Sequence, residues 1–281
     1  MDYNSLLNNI LRRLPDFKGK QRLVRLLFRK HISGLKNIIV NGDNNLKYKL
    51  PNAIENIGFE IFINGIYEKE TSDFISSRIP ANGIYMDVGA NIGSVALPVC
   101  AKRKDITAVC IEASPRIFEY LEFNFKLNEV ANVILINRAI ADKDKLQVEF
   151  VSPVEQFGKG QISSYSTDDS ESITTITIDS LTEQINIKKV DFIKVDIQGY
   201  EYYAFKGAGN LLSASTAPDI LFEFEDWAEE SVKDIIPGDA QQVLFDYGFN
   251  LYKIMNNGRL IPLTKPLRKG SVMIFATKKK Y

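Results

Sequence analysis

Cysteine and histidine are nearly missing from this 281-residue chain: there are two cysteines, Cys100 and Cys110, and one histidine, His31. No Cys-x-x-Cys pair occurs, so neither a zinc site nor a disulfide framework is expected, and no other cluster calls for a metal. Both cysteines fall in apolar segments and read as small buried hydrophobes, which suits a reducing compartment. His31 lies far in sequence from the stretch singled out below, which makes it a poor candidate for a catalytic base. Net charge is missing too, since 35 basic side chains offset 35 acidic ones. Bulk electrostatics therefore do not mark a nucleic-acid binder, and the Asn-Pro-Pro-Tyr type of base-flipping motif is absent. No apolar run nears the ~18 residues of a membrane span. No signal peptide is recognisable at the N-terminus, so the expected location is the cytoplasm. What is present, 45% hydrophobic and 25% charged residues, is the composition of a folded globular protein. The length suits one large domain, alone or with a small appendage.

One stretch organises the rest. Ile84 to Met86 is an apolar run that reads as a buried strand and stops at Asp87. Gly89, Ala90, Asn91 and Gly93 then make a tight turn, and Ser94 to Cys100 reads as a helix. Strand, glycine turn and helix form a nucleotide-binding corner, because glycine lets backbone approach a ligand and the helix start offers free N–H groups. The glycines are spaced G-x-x-x-G, not the G-x-G-x-x-G of a dinucleotide site. An acid at position 87 would repel a pyrophosphate but suits a ligand with a cationic amine and no phosphate, such as S-adenosylmethionine. A second apolar run, Ile106 to Ile111, ends at Glu112, placed to accept hydrogen bonds from the ribose hydroxyls of a bound nucleoside. The plainer alternatives are an ordinary strand–turn–helix corner and a solvated loop acid.

Residues 1 to 34 predict two short helices. Leu6, Leu7, Ile10, Leu11 and Leu14 have helical spacing that Pro15 ends. From about Lys20 to Ile32, Leu23, Val24, Leu27 and Phe28 form one face, and Arg22, Arg25 and Arg29 another. Residues 1 to 30 hold eight Lys or Arg against Asp2 and Asp16. A basic amphipathic helix suits an anionic membrane or a protein partner, but the preferred reading is a packing helix with a solvated basic face. Ile38 to Val40 and Leu46 to Leu50, punctuated by Asn41-Gly42-Asp43, predict a hairpin. Phe59 to Ile63 is a further strand candidate, and a helix ends near Arg78.

From residue 84 strands and helices alternate, which implies a mostly parallel sheet with helices on both faces. Pro115 opens a helix with Ile117, Leu121 and Phe125 as its buried stripe. Val133 to Ile136 is the third strand, and the turn after it, through Ile140, lies over the nucleoside base in such folds. Val148 to Val151 reads as a strand. Gly158-Lys-Gly160, Ser163-Ser164 and 166–171 read as a long polar loop, a candidate lid or a plain surface loop. Phe192 to Val195 is a buried strand holding Lys194 and ending at Asp196. Ile220 to Phe222 is the next, ending at Glu223, Glu225 and Asp226. Asp87, Glu112 and Asp196 are thus expected on one rim of the sheet, and such crowding of acids suggests a cationic ligand or a shared proton. Phe249 to Ile254, Asn257-Gly258 and Ser271 to Ala276 predict a terminal antiparallel pair, followed by a solvated lysine tail.

Taken in order, Tyr67-Glu68, Asp87-Val-Gly-Ala-Asn-Ile-Gly93, Glu112-Ala-Ser-Pro115, Thr177-Ile-Asp179 and Ile193-Lys-Val-Asp-Ile-Gln-Gly-Tyr-Glu201 resemble the FkbM-type family of S-adenosylmethionine-dependent methyltransferases. The resemblance covers roughly residues 60 to 277. It implies an α/β fold: a Rossmann-like seven-stranded methyltransferase sheet, mostly parallel, with its last strand reversed. Residues 1–58 would form a helical and β-hairpin appendage, and 59–281 the methyltransferase domain. It implies S-adenosyl-L-methionine as cofactor and a hydroxyl of a small molecule or glycan, often a sugar, as acceptor. Where the family usually has Glu, this chain has Gln198.

Asp87, Gly89, Asn91 and Gly93 are the residues expected around the methionine moiety and Glu112 on the ribose. Glu68 and Ile140 are added by the resemblance. With no histidine near the corner, a carboxylate is the candidate base, Asp196 first and Glu223 second. Their plain alternatives are a helix cap and a solvent-facing acid. Rival readings are a binding protein that keeps the fold without chemistry, which Gln198 leaves open, and a nicotinamide oxidoreductase, which the glycine spacing opposes. Acceptor identity and oligomeric state are not legible.

Overall fold

The structure is a computed structural model that describes residues 3–15, 17, 19–163, 170–255 and 258–279. Two helices, α1 (Tyr3–Arg13) and α2 (Lys20–Ile32), lead into an antiparallel hairpin of β1 (Lys36–Asn41) and β2 (Lys47–Asn52). Helices α3 (Asn56–Asn64) and α4 (Lys69–Arg78) follow. Strands and helices then alternate through β3 (Ile84–Val88), α5 (Ala96–Lys102), β4 (Thr107–Glu112), α6 (Pro115–Leu127) and β5 (Val133–Asn137). Four short strands come next, β6 (Ala139–Ile140), β7 (Gln147–Val151), β8 (Gln161–Ser163) and β9 (Ser170–Ile176). Alternation resumes with α7 (Ile178–Gln184), β10 (Phe192–Val195), α8 (Glu201–Lys206), α9 (Gly209–Ser213), β11 (Asp219–Glu225), α10 (Asp226–Ser231) and α11 (Asp239–Asp246). The last strands are β12 (Asn250–Ile254), β13 (Leu260–Leu263) and β14 (Ser271–Thr277).

Among the described residues the main sheet has eight strands in the order β13-β12-β14-β11-β10-β3-β4-β5. β5, β4, β3, β10 and β11 are parallel. β14 runs antiparallel between β11 and β12. Seven strands therefore follow the expected mostly parallel α/β layout with its last strand reversed. The eighth, β13, pairs with the outer side of β12 and was not expected. Pro262 within it disguises the strand, and an edge position is where a sheet tolerates proline. Asn257, expected in the turn of this pair, lies outside the described residues, as does Lys280 of the lysine tail.

Period-two alternation explains why the sheet is covered on both faces. Tyr85, Cys110, Phe192 and Leu221 point into one apolar cluster, which also takes residues from α1, α3, α5 and α6. Met86, Val109, Ile193 and Phe222 point into the other, with residues of α7, α8 and α11. The chain lays down β3, β4 and β5 on one side, then crosses back to place β10 against the other edge of β3. β3 and β10 therefore flank a topological switch point, and the crevice outside their C-terminal ends is where such sheets bind ligands.

Two expectations give way here. Phe59 to Ile63, read as a strand, lies in α3. Glu55 caps that helix by accepting from Ile57 N at 2.8 Å, and Gly65, in the left-handed region at φ 82°, ends it with its N–H on Ile61 O. Ile57, Gly58, Phe59, Ile61, Phe62 and Ile63 are all buried, which leaves a polar stripe of only Asn56, Glu60 and Asn64, so the apolar run between them looks like a buried strand. Residue 58, the expected end of the N-terminal part, is inside this helix. The second expectation concerns the polar stretch after Val151. Ser164 and 166–169 lie outside the described residues, but β7, β8 and β9 around them pair antiparallel, with β6 added alongside β9. Polar side chains of β7 and β9 bond across the strands: Ser170 Oγ donates to Glu149 at 2.6 Å and Gln147 Nε2 to Thr174 Oγ1 at 2.8 Å. Phe150 and Ile173 are the buried half.

Two buried asparagines tie the first helices and the hairpin to the rest. Asn8 donates to Phe62 O at 2.7 Å and accepts from Asn41 N at 3.1 Å. Asn124 on α6 bonds Lys49 N at 2.6 Å and Ile92 O at 2.9 Å. Gly58 brings α3 within a Cβ radius of β2, since a side chain there would stand 2.0 Å from Asn52 O. Gly58→Ala should therefore lower unfolding free energy by about 1–3 kcal/mol in urea titration. A loss under ~0.5 kcal/mol, the scale of an ordinary surface change, would contradict this packing.

Candidate active site

The crevice at the switch point is a cleft of about 1010 Å³, its open mouth included. It is lined by Glu68, Asp87, Gly89, Asn91, Glu112, Ile140, Asp196 and Glu223. Gly93, also expected there, does not line it. Its φ is 83°, and a Cβ would press on Leu121 and Phe125 at 3.1 Å, so this glycine lets α6 close over the turn. His31 is remote, its Nε2 bonded to Asn4 Oδ1 at 2.9 Å among the first helices. Cys100 and Cys110 are buried free thiols.

The glycine turn follows from a close approach. Gly89 has φ 83°, and a Cβ would lie 2.0 Å from Asp196 O, so only glycine allows β3 to end beside β10. The N–H groups of Gly89 and Ala90 both reach Ile111 O, at 3.0 and 2.9 Å. Asn91 then takes the left-handed region at φ 51°. Its N–H donates to Glu112 Oε2 at 2.9 Å, and its side-chain amide donates to Phe157 O at 3.1 Å. Glu112 also accepts from Ser114 N at 2.9 Å. Burial nevertheless pushes the Glu112 carboxyl up to about 7, those N–H groups acting in the opposite direction.

Lys194 was not singled out in the sequence and proves central. It stands directly opposite Asp87 in the parallel register of β10 and β3. Its ammonium lies 3.4 Å from Asp87 Oδ1 and 3.3 Å from Asp196 Oδ2, with only 3% of its side chain exposed. Burial alone would push Lys194 down, but Asp87, Asp196 and Glu68 outweigh that and hold it above the usual lysine range. Asp87 is fully buried, and burial raises its carboxyl while Lys194 opposes the rise. Neither of its oxygens has a hydrogen-bond partner among the described residues. Glu68 is raised by burial and by Asp196. Glu223 is pushed up to about 9 by burial, then by Asp196, Glu225 and Glu68. One buried cation thus faces four carboxyl groups, and the upward shift of Glu223 favours its protonated form.

Other lining residues were legible only in part. The small sheet and the turn before it bring Phe150, Phe157, Gly158, Gly160 and Ile162 to the cleft. Gln198, noted as a departure from the usual Glu, lines it in the left-handed region at φ 52°. The signal that could have found Lys194 is a charge within an apolar strand two residues before an acid, since a buried lysine needs a partner. Thr177 and Asp179 prove structural: Thr177 caps α7, and Asp179 accepts from Asn210 N and Leu211 N at 2.8 and 3.0 Å at the start of α9.

Fold and site together define a doubly wound α/β protein with a nucleoside-type crevice. A model of the methyltransferase FkbM domain matches residues 87–251, more than half of the chain, and the chain belongs to this family. The hexuronic acid methyltransferase AglP of Haloferax volcanii is 26% identical over 148 residues, which are 52% of this chain and 59% of that protein. The match therefore spans less than two thirds of that relative's length. Among solved structures, a SAM-dependent O-methyltransferase from Thermotoga maritima is 13% identical with a TM-score of 0.41, covering 88% of this chain and 79% of its own. TYW2 of M. jannaschii, solved with AdoMet, is 15% identical with a TM-score of 0.42, covering 86% and 85%. Likeness of that degree carries no argument about the site.

S-adenosyl-L-methionine is the cofactor of this class, and the residues present fit it. Asp87 offers unbonded buried oxygens to a cationic amine, the Gly89 turn leaves room for close approach, and Glu112 keeps lone pairs for hydroxyl donors. Among the described residues no group of three or more His, Cys, Asp or Glu is arranged to hold a metal.

Two outcomes test the electrostatics. Lys194→Met leaves Asp87 buried beside no cation and should cost about 3–5 kcal/mol in urea titration, most of it recovered when Asp87→Asn is added. An unchanged midpoint for the single variant would remove Lys194 from its central place. Glu223 gives a pH signature. Between its ordinary 4.5 and about 9, the folded state holds a proton that the unfolded state releases, so stability falls as pH rises through that window. Glu223→Gln should match the wild-type melting temperature at pH 5 and exceed it increasingly towards pH 9. A constant offset would show that Glu223 is already ionised.

Proposed function

We propose that this chain is an S-adenosyl-L-methionine-dependent O-methyltransferase acting on a hydroxyl of a small molecule or glycan, most simply a sugar. The observation that carries this reading is the juxtaposition of the Asp87–Gly89–Asn91–Glu112 end of the cleft with Asp196 at the neighbouring strand end. Asp87, Gly89 and Asn91 hold the methionine part, Glu112 takes the ribose hydroxyls, and Ile140 packs on the base. Glu68 adds negative charge beside them.

The cofactor supplies an electrophilic methyl group on a sulfonium. The chain's own residues orient the acceptor and move its proton. Asp196, with 30% of its side chain exposed, holds the acceptor hydroxyl and takes its proton. Lys194 fixes the Asp196 carboxylate in place, and the protonated Glu223 donates a hydrogen bond to a second acceptor oxygen. Gln198 substitutes for the family's usual Glu as a neutral orienting amide. Alignment of acceptor oxygen and methyl group supplies much of the acceleration.

The sugar reading draws support from the hexuronic acid methyltransferase relative and from an aromatic ring next to Lys159, whose neighbours Gly158 and Gly160 line the cleft. The chain's single tryptophan, Trp227, is 48% exposed at the start of α10, with Lys159 Nζ 5.9 Å from its ring centre. An aromatic face suits the C–H side of a pyranose ring, while Lys159 and the exposed Arg138 offer cations to a sugar carboxylate.

Calorimetric titration of S-adenosylmethionine and S-adenosylhomocysteine tests the cofactor assignment. Glu112→Ala should weaken both by roughly 10- to 100-fold, and Asp196→Asn should leave both nearly unchanged while lowering turnover by about 10²–10⁴. Binding without turnover on any of a panel of nucleotide sugars and oligosaccharides would favour the alternative left open by Gln198, a binding protein on a methyltransferase fold. Absence of binding by wild type would sink the cofactor assignment.

A further inference from the structure

The first two helices present a surface that the methyltransferase reading does not use. The packing face expected for α2 is only half realised: Val24 is buried and Phe28 half-buried, but Leu23 is 45% and Leu27 65% exposed. Leu26, one step round the helix, is 79% exposed. On α1 and just after it, Leu6, Ile10, Leu14 and Phe17 are each more than 40% exposed. Leu6, Ile10 and Leu14 recur every four residues and so share one side of the helix. Large apolar side chains grouped in this way are not left in water without a reason.

Charge says what covers them. α1 and α2 carry basic residues in their last turns and no acid in their first. Some of these cations have structural work. Arg12 pairs with Asp43 at 3.1 Å, Lys20 Nζ donates to Leu14 O at 3.2 Å, and Arg25 bonds Asn56 at 2.9 Å and lies over the Phe59 ring at 4.0 Å. Arg13, Arg22, Arg29 and Lys30 are exposed beside the leucines. Arg22, Arg25 and Arg29 line a groove of about 940 Å³, its open side included, whose apolar wall is Leu26, Ile32, Ile54 and Phe59. Arg22 and Arg25 continue into a second groove with Phe17, where Glu60 is the acid present. Arginines set round an apolar wall match a phosphate headgroup joined to an acyl chain. A helix with leucines on one side and arginines flanking them lies in the headgroup–acyl boundary. No helix among the described residues is long and apolar enough to cross a membrane, so the contact is with one surface.

We propose that the α1–α2 surface docks on an anionic lipid bilayer, with Leu23, Leu26 and Leu27 entering the boundary and Arg22, Arg29 and Lys30 meeting lipid phosphates. This is independent of the cofactor and acceptor assignments.

The test is co-sedimentation of the full chain with vesicles of phosphatidylcholine alone and of phosphatidylcholine mixed with phosphatidylserine, at low and high salt. The expected result is binding to the mixed vesicles that falls as salt rises. Arg22→Gln with Arg29→Gln should weaken it about tenfold or more. Leu26→Asp with Leu27→Asp should abolish it while leaving the melting temperature unchanged, both residues being exposed. Equal binding to both vesicle types, insensitive to salt, would overturn the proposal. So would absence of binding by a wild type that is dimeric in solution and becomes monomeric with the leucine substitutions, because the face would then join two copies of this chain.

Discussion

The site depends on one buried ion pair. Lys194 and Asp87 sit side by side on adjacent parallel strands, at the place where the sheet changes its direction of growth. Neither charge is tolerable alone in that interior, so each requires the other. Around them Asp196, Glu68 and Glu223 gather on the same crevice, and a single lysine cannot neutralise them all. Glu223 is shifted towards its protonated form, and the surplus of negative charge favours a positively charged ligand. A sulfonium bearing an ammonium group answers that demand, whereas a pyrophosphate would meet repulsion. The family membership and the electrostatics therefore point to the same cofactor by separate routes.

Left-handed backbone helps to build this crevice. Glu68, Asn91 and Gln198 are non-glycine residues with positive φ, and all three line the cleft. Such conformations persist where surrounding contacts over-determine them. For Asn91 those contacts are visible: its N–H, its amide and its side-chain oxygen are all engaged, with Glu112, Phe157 and Ile92 N. The left-handed turn thus aims backbone at Glu112 and links the glycine corner to the turn between β7 and β8. Gln198 stands in the matching position after β10, between Asp196 and the Gly199 turn. A glutamic acid there would have added one more carboxyl to a site already short of cations, and glutamine avoids that cost.

The molecule divides its labour between a rigid sheet and peripheral elements. The sheet's two covered faces hold the strand ends in place. The small sheet and the turn carrying Phe157 line the cleft beside the strand ends. Variation in acceptor among proteins of this architecture would be sited there, because those elements touch the cleft without carrying the switch point. The N-terminal helices share an apolar cluster with the sheet through Leu7, Leu11 and Val24, yet leave their outer leucines in solvent.

What the sequence by itself determined is local. The apolar run to Met86, the glycine turn and the helix after it were readable because a strand, a tight turn and a helix start each leave a short-range signature. The acids at three strand ends and the terminal antiparallel strands were readable for the same reason. What only the tertiary structure decided is partnership. α3 looked like a strand because its polar stripe is only three residues, Asn56, Glu60 and Asn64, one per turn. β8 and the start of β9 looked like loop because their residues are polar, and only pairing with β7 makes them strands. Gly93 looked like a ligand contact and instead makes room for α6. Lys194 looked like an oddity in an apolar strand, and its meaning depends on Asp87, more than a hundred residues earlier. Side-chain charge acquires a role only from what the fold places beside it, and no period within one segment carries that information.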